Sequence, residues 1–351
     1  MQRAPLLILG MLSLLAGLAG GLVRVGWAVP SVPPEAVAQH GALMLAGFLG
    51  TLISLEKAVA LQRTFGYAAP VLIGVGTISL WAGGPVAPGR AAIAAGGAIF
   101  FAGLALGFYE RATRWAATQL AGAACFAIGA LAWLAGRALV DVVPLWAAFV
   151  VLTIAGERLE LSRLLAPTRA ALVAFAALVA LAIAGPLVGF ADAQLGARLS
   201  GAAWLGLAVW LLRWDLARKS LGRPGLPRFI AWAVLSGHVW LALSGAFALT
   251  WGAPQAGPAW DAILHALFVG FAFSMIFGHA PIIFPAILRV QIRFAPRFWI
   301  HLALLNAGLA LRLIGDLSGV YELRAWGALL NVLAVLLFLV QTVSRVEKGS
   351  A

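Results

Sequence analysis

Residues Gly257–Leu288, GPAWDAILHALFVGFAFSMIFGHAPIIFPAIL, decide how the rest of the chain is read. The run is long and apolar enough to cross a bilayer as a helix. Yet it carries two histidines, His265 and His279, and one carboxylate, Asp261. On a regular α-helix the fourteen residues from His265 to His279 rise about 21 Å and turn about 1400°, about 40° short of four full turns. The spacing therefore predicts both imidazoles on nearly one face, one toward each side of a membrane. Ionisable side chains inside a span are rare and usually face the bundle interior, as ligands, relays or counter-ions. The rest of the chain reads as the container for this helix.

That container is itself apolar. Of 351 residues, 63% are hydrophobic, 10% are charged and 14 are Trp, and the mean hydropathy is +1.00. A soluble domain carries about 25% charged residues. The composition gives an all-α polytopic membrane protein, read as a single integral-membrane helical domain over 1–351. Runs of about 20 apolar residues place spans near 4–28, 36–61, 67–87, 90–109, 115–136, 139–157, 169–190, 195–213, 228–251, 259–287, 297–315 and 322–344, twelve in all. The break between spans three and four falls at GGPVAPG, 83–89. The opening MQRAPLLILGMLSLLAGLAGGLVRVGWAVP resembles a signal peptide, but its apolar run is long and no soluble segment follows. It reads as a retained first span. The longest connection, RWDLARKSLGRPGLPRF, reads as a polar linker, and Gly/Ala-rich runs such as AAIAAGGAIFFAGLALG read as packing helices. One cysteine, Cys125, excludes a disulfide framework and a Cys-based metal site.

The net charge of +12 has to be located before it is interpreted. Most Lys and Arg fall in connections on the side of the N-terminus: Arg3, Arg63, Arg111 and Arg114, the groups within 158–169 and 213–228, then Arg289, Arg293, Arg297, Arg345 and Lys348. The opposite side holds Arg90, Arg137, Arg198 and Arg324. By the bias of Lys and Arg toward cytoplasmic loops, both termini are expected in the cytoplasm. The charge then belongs beside anionic lipid, and the bilayer, not nucleic acid, is the expected partner.

All five histidines, His40, His238, His265, His279 and His301, fall in expected spans. Any one can be a hydrogen-bonded packing residue, but the set as a whole points to ligation. Topology puts His40 and His265 at similar depth toward the periplasm, His279 and His301 toward the cytoplasm, and His238 near mid-membrane. Two histidines from facing helices at matched depth suit a haem with two axial imidazoles; His40 with His265 is the best-matched pair, and His238 replaces either if span nine sits deeper. Arg24 and Arg312 lie at about the right level to neutralise haem propionates; the alternative for each is snorkelling to the interface. Copper also suits imidazole, and His279, His301 and His238 form the candidate set for it. Met44 and Met275 read as core. Glu56 with Lys57 reads as an interfacial ion pair, with a proton-relay or metal role as the alternative for Glu56.

At these residues the sequence resembles the NnrS family. His265–Pro281, HALFVGFAFSMIFGHAP, is similar to that family's signature helix; His40–Gly50, HGALMLAGFLG, is similar to its His-x-His-Glu-Met-Leu-x-Gly-Phe signature; Leu311-Arg312-Leu313 resembles its leucine-arginine segment. Ala42 and Leu43 stand where the pattern has a second His and a Glu, and Ala280-Pro281-Ile282 stands where it has a Thr-Gly-Arg. The resemblance implies a haem- and copper-containing protein of the bacterial inner membrane, associated with nitric oxide handling and with an unidentified redox partner. His40, His265, His279 and Arg312 match residue by residue. A haem–copper oxidase subunit would need close histidine pairs that this sequence lacks. A proton-coupled secondary transporter, with buried histidines and Glu56 as its relay, is the competing class, although no repeat between the halves is apparent.

Overall fold

The structure, a computed structural model, describes residues 3–288 and 290–348. Twelve helices in it are long and apolar enough to cross a membrane: Ala4–Arg24, His40–Leu61, Thr64–Trp81, Val86–Glu110, Arg114–Leu134, Leu139–Leu165, Arg169–Val188, Ala193–Ser220, Leu226–Trp251, Gly257–Pro285, Phe298–Ser318 and Tyr321–Val343, here spans one to twelve. Several starts are written in the sequence. Thr113, Thr168 and Asp192 each accept a hydrogen bond from the backbone N–H three residues on, at 3.0–3.2 Å, satisfying a donor that the first helical turn leaves open. Spans three and four are separate helices, parted by the turn at Gly83, whose φ of +80° lies in the region glycine tolerates.

The chain divides into two compact units, Met1–Gly156 and Glu157–Ala351. In the first, Phe126 is fully buried and meets Phe100, Trp146 and Phe149 at ring-centroid distances of 6.4, 5.8 and 5.0 Å. In the second, spans cross through glycine. A Cβ added at Gly245 would stand 2.7 Å from the carbonyl oxygen of Gly201, and one at Gly327 would stand 2.6 Å from that of Gly308. Backbones this close leave no room for a side chain, which is how small residues join helices where lipid gives no hydrophobic drive. Two short strands, β1 (Val290–Ile292) and β2 (Val346–Lys348), pair antiparallel, with Gln291 opposite Glu347. Arg289, one of the basic residues assigned to the connections, lies outside the described residues.

Three expectations are corrected. Span ten is not a regular α-helix: Ala266–Phe273 has i→i+5 geometry, between α-helical Gly257–His265 and Ser274–Leu288. Each extra residue so accommodated turns the remainder of the helix by about 100°, so the shared face inferred for His265 and His279 does not hold. Span six runs on to Leu165, which carries Arg158 into a buried position instead of a loop. The polar linker is also partly folded, because Leu216–Ser220 forms a 3₁₀ turn and Asp215 before it is buried.

Candidate functional site

His40 opens span two and leads into an i→i+5 segment, Leu43–Gly50. His265 ends the first α-helical part of span ten and leads directly into the other such segment. Both segments carry Gly-Phe at their fifth and sixth residues, Gly47-Phe48 and Gly270-Phe271. Such helical bulges occur disproportionately at functional sites. The two histidines lie in different units, His40 in the first and His265 in the second.

The partners of the imidazoles fix their tautomers. Nδ1 of His40 lies 2.7 Å from the carbonyl oxygen of Gly17, Nδ1 of His265 lies 2.8 Å from that of Asp261, and Nδ1 of His279 lies 2.7 Å from that of Met275. A carbonyl only accepts, so each Nδ1 is the donor, and a neutral ring then carries its lone pair on Nε2. The His40 ring is further held by glycine: a Cβ added at Gly21 would stand 2.8 Å from its Cε1. His238 has the opposite tautomer. Its Nε2 donates to Asp215 Oδ2 at 2.9 Å, and its Nδ1 is buried without a hydrogen-bond partner among the described residues.

Around His238 the second unit assembles a buried charged group. Asp215 accepts from the Ala217 N–H at 2.8 Å through Oδ1, and Arg158 Nε stands 3.7 Å from its Oδ2. Side-chain exposure is 5% for Arg158, 1% for Asp215 and 0% for His238, so these charges are compensated by one another, not by solvent. His279 lies within electrostatic range of Glu157, Arg158 and Asp215. His301 is different. Its Nδ1 pairs with Gln341 Oε1 at 2.8 Å, and the rings of Phe229, Phe277, Phe298 and Phe338 surround it with centroids 4.8–5.7 Å away. His301 therefore has partners of its own, whereas His238 and His279 lie within range of the same Arg158 and Asp215. No group of three or more His, Cys, Asp or Glu that could hold a metal ion occurs among the described residues.

A second charged group surrounds His265. Arg312 grips Asp261 with both arms of its fork, Nε to Oδ2 at 2.6 Å and Nη2 to Oδ1 at 2.7 Å. Asp261 Oδ1 also lies 3.3 Å from His265 Nδ1. Asp316 and Arg324 complete the group, Arg324 Nη1 being 3.8 Å from Asp316 Oδ1. The guanidinium expected to face a propionate is thus engaged by a carboxylate of its own chain. Arg24 is exposed, with Nη1 3.4 Å from the carbonyl oxygen of Val37. Glu56 and Lys57 form an ion pair at 3.1 Å, and Met275 is buried core.

Sequence reasoning counted Arg158 and Arg324 among the charges of the connections and gave no role to Asp215 or Asp316. One signal was present: Asp261 with His265, and Arg312 with Asp316, are both four residues apart, the spacing that puts side chains together on a helix. Residues 3–347 match the model of a family described as Domain of unknown function (DUF8744). No curated protein and no solved structure matches the chain. Because the match leaves out only the two ends, the chain belongs to the DUF8744 family.

Proposed function

We propose that this is a multi-pass protein of a bacterial cytoplasmic membrane, with both termini in the cytoplasm, that binds haem and acts in nitric oxide handling, with His40 in the first unit and His265 in the second as candidate ligands, each taken by itself. The observation that carries the reading is the state of the two rings. Each is held through Nδ1–H by a main-chain carbonyl, the outer-sphere contact that metal-bound histidines nearly always make. Arg24, exposed at the end of span one, is the better partner for a propionate, since the fork of Arg312 is on Asp261. When bound, haem would supply one-electron chemistry and the affinity for nitric oxide. The chain's own residues fix the tautomer and the ring orientation. The resemblance of His40–Gly50, His265–Pro281 and Leu311–Leu313 to the NnrS family supports the nitric oxide assignment. The copper that the same resemblance implies is not part of this reading: Ala42 and Leu43 stand where that family has a His and a Glu, and no group of three or more His, Cys, Asp or Glu that could hold a metal ion occurs among the described residues.

The test is an optical spectrum of the detergent-purified protein, oxidised and dithionite-reduced, with metal analysis of the same sample. A Soret band that shifts on reduction, and again on adding nitric oxide, is the expected result. A colourless, metal-free protein from haem-sufficient cells overturns it. That outcome would favour proton-coupled secondary transport, the reading to which the buried Arg158–Asp215–His238 group lends weight, since intramembrane Asp and His mark proton pathways.

A further inference from the structure

The two short strands tie the connection after span ten to the segment after span twelve, and they do so with like charges face to face. One step beyond Ile292 opposite Val346, the register brings Arg293 opposite Arg345, whose carbonyl oxygen accepts from the Arg293 N–H at 3.3 Å. Residues directly opposite on an antiparallel pair have Cβ atoms about 5 Å apart, and like charges there are destabilising. A third arginine stands beside them: Arg297 Nη2 donates at 2.7 Å to the hydroxyl of Ser344, the residue before Arg345. All three are exposed, and the guanidinium of Arg345 has no hydrogen bond or ion pair among the described residues. The next pair on that face, Gln291 opposite Glu347, brings one acidic residue against the three arginines. This is not a loose basic tail. Phe294 and Trp299, on either side of Arg297, pack on the buried ring of Phe229 at centroid distances of 5.8 and 5.5 Å.

We propose that this corner of the second unit binds an anionic phospholipid, with its phosphate among Arg293, Arg297 and Arg345. The level is that of a headgroup. Span ten ends at Pro285, span eleven begins at Phe298 and span twelve ends at Val343, so the arginines stand where the helices leave the apolar layer. An anion among the guanidiniums replaces their mutual repulsion with attraction, and the planar fork of arginine matches phosphate oxygens in pairs. Beside the arginines the surface is apolar. Ile300, three residues on from Arg297, is 56% exposed, and Val340 and Val343, in the last turn before Ser344, are 66% and 70% exposed. Because Arg297 is bonded to Ser344, these side chains belong to helix ends that meet at the site, where they suit acyl chains. A soluble anion or a nucleic acid would leave that apolar surface uncovered, whereas a lipid uses both parts. The site requires spans that lie in a bilayer but no cofactor, so it can be absent while haem is bound.

The experiment is native mass spectrometry of the full chain released from detergent micelles, titrated with phosphatidylglycerol or with phosphatidylcholine of equal acyl length. Phosphatidylglycerol should be retained several-fold more than phosphatidylcholine, and Arg297→Gln with Arg345→Gln should remove most of that excess. Arg111→Gln with Arg114→Gln, which deletes as much exposed charge from the first unit, should leave it in place. No preference for phosphatidylglycerol overturns the proposal. An equal loss in the two double variants does so too, since it would show attraction to charge in general. Thermal unfolding separates lipid from free phosphate: phosphatidylglycerol should raise the midpoint, and inorganic phosphate at the same concentration should not. An equal rise with both would leave the acyl chains no part in binding and overturn the lipid assignment. Should the Arg297 variant fail to fold, Arg345→Gln alone decides, because that side chain has no partner among the described residues; full retention of the preference there sinks the proposal.

Discussion

His40 depends on a glycine as much as on its hydrogen bond. Gly21→Ala would put a methyl carbon 2.8 Å from Cε1 of the ring, forcing the imidazole to shift by several tenths of an ångström and weakening its bond to Gly17. Haem retention should fall several-fold, whereas Gly107→Ala, with nothing within 4 Å, should leave it unchanged. Equal haem content in the two purified variants would count against His40. Replacing either ligand outright, His40→Ala or His265→Ala, should abolish haem binding, and a normal Soret band in both would sink the assignment. Arg312→Ala acts differently. It strips a bidentate partner from Asp261, whose side chain is 18% exposed, and should cost about 3 kcal/mol, read as a lowered midpoint of thermal unfolding. Arg312→Gln with Asp261→Asn should recover much of the loss.

At the scale of elements, Asp215 shows how a short segment is tied down. It caps Leu216–Ser220 through Ala217 and holds His238 in the middle of span nine. Asp215→Ala leaves two buried donors unsatisfied, at about 1–3 kcal/mol each, and should unfold at a markedly lower temperature than wild type. Asp215→Asn keeps an acceptor and should fall between them. No change in either variant would mean that the dyad contributes nothing to stability. This group was not legible in the sequence. Asp215 stands in a charged stretch that looks like any membrane-flanking loop, and Arg158 stands where span six was expected to stop. Only the continuation of that helix to Leu165 takes the guanidinium inward. The i→i+5 segments were equally silent, since a residue inserted into an apolar helix leaves the composition that marks a span untouched.

For the molecule as a whole, the spans were legible because membrane crossing is decided by length and hydropathy, which the chain states locally. The twelve helices fall where the apolar runs do, down to the separate third and fourth. Which charges meet is a matter of three-dimensional crossing, and only the four-residue spacings hinted at it. Orientation can be measured directly. Ser31, in the connection after span one with φ of 59°, can be changed to cysteine in a Cys125→Ser background; the native thiol is buried. A membrane-impermeant maleimide should label it from the periplasmic side, and labelling solely from the cytoplasm would reverse the topology.

The bulge in span ten makes that helix a screw of two pitches. Its upper part is anchored where Arg312 clamps Asp261, and its lower part begins at Ser274. Sliding the wide-pitch segment along by a turn would swivel the residues it passes and leave both anchored parts where they are. Trp240 lies against Gly270, in the middle of the segment, and its indole N–H donates to Asn306 at 2.7 Å. Rotation at Gly270 would therefore be felt across spans nine and eleven without either end of span ten having to travel.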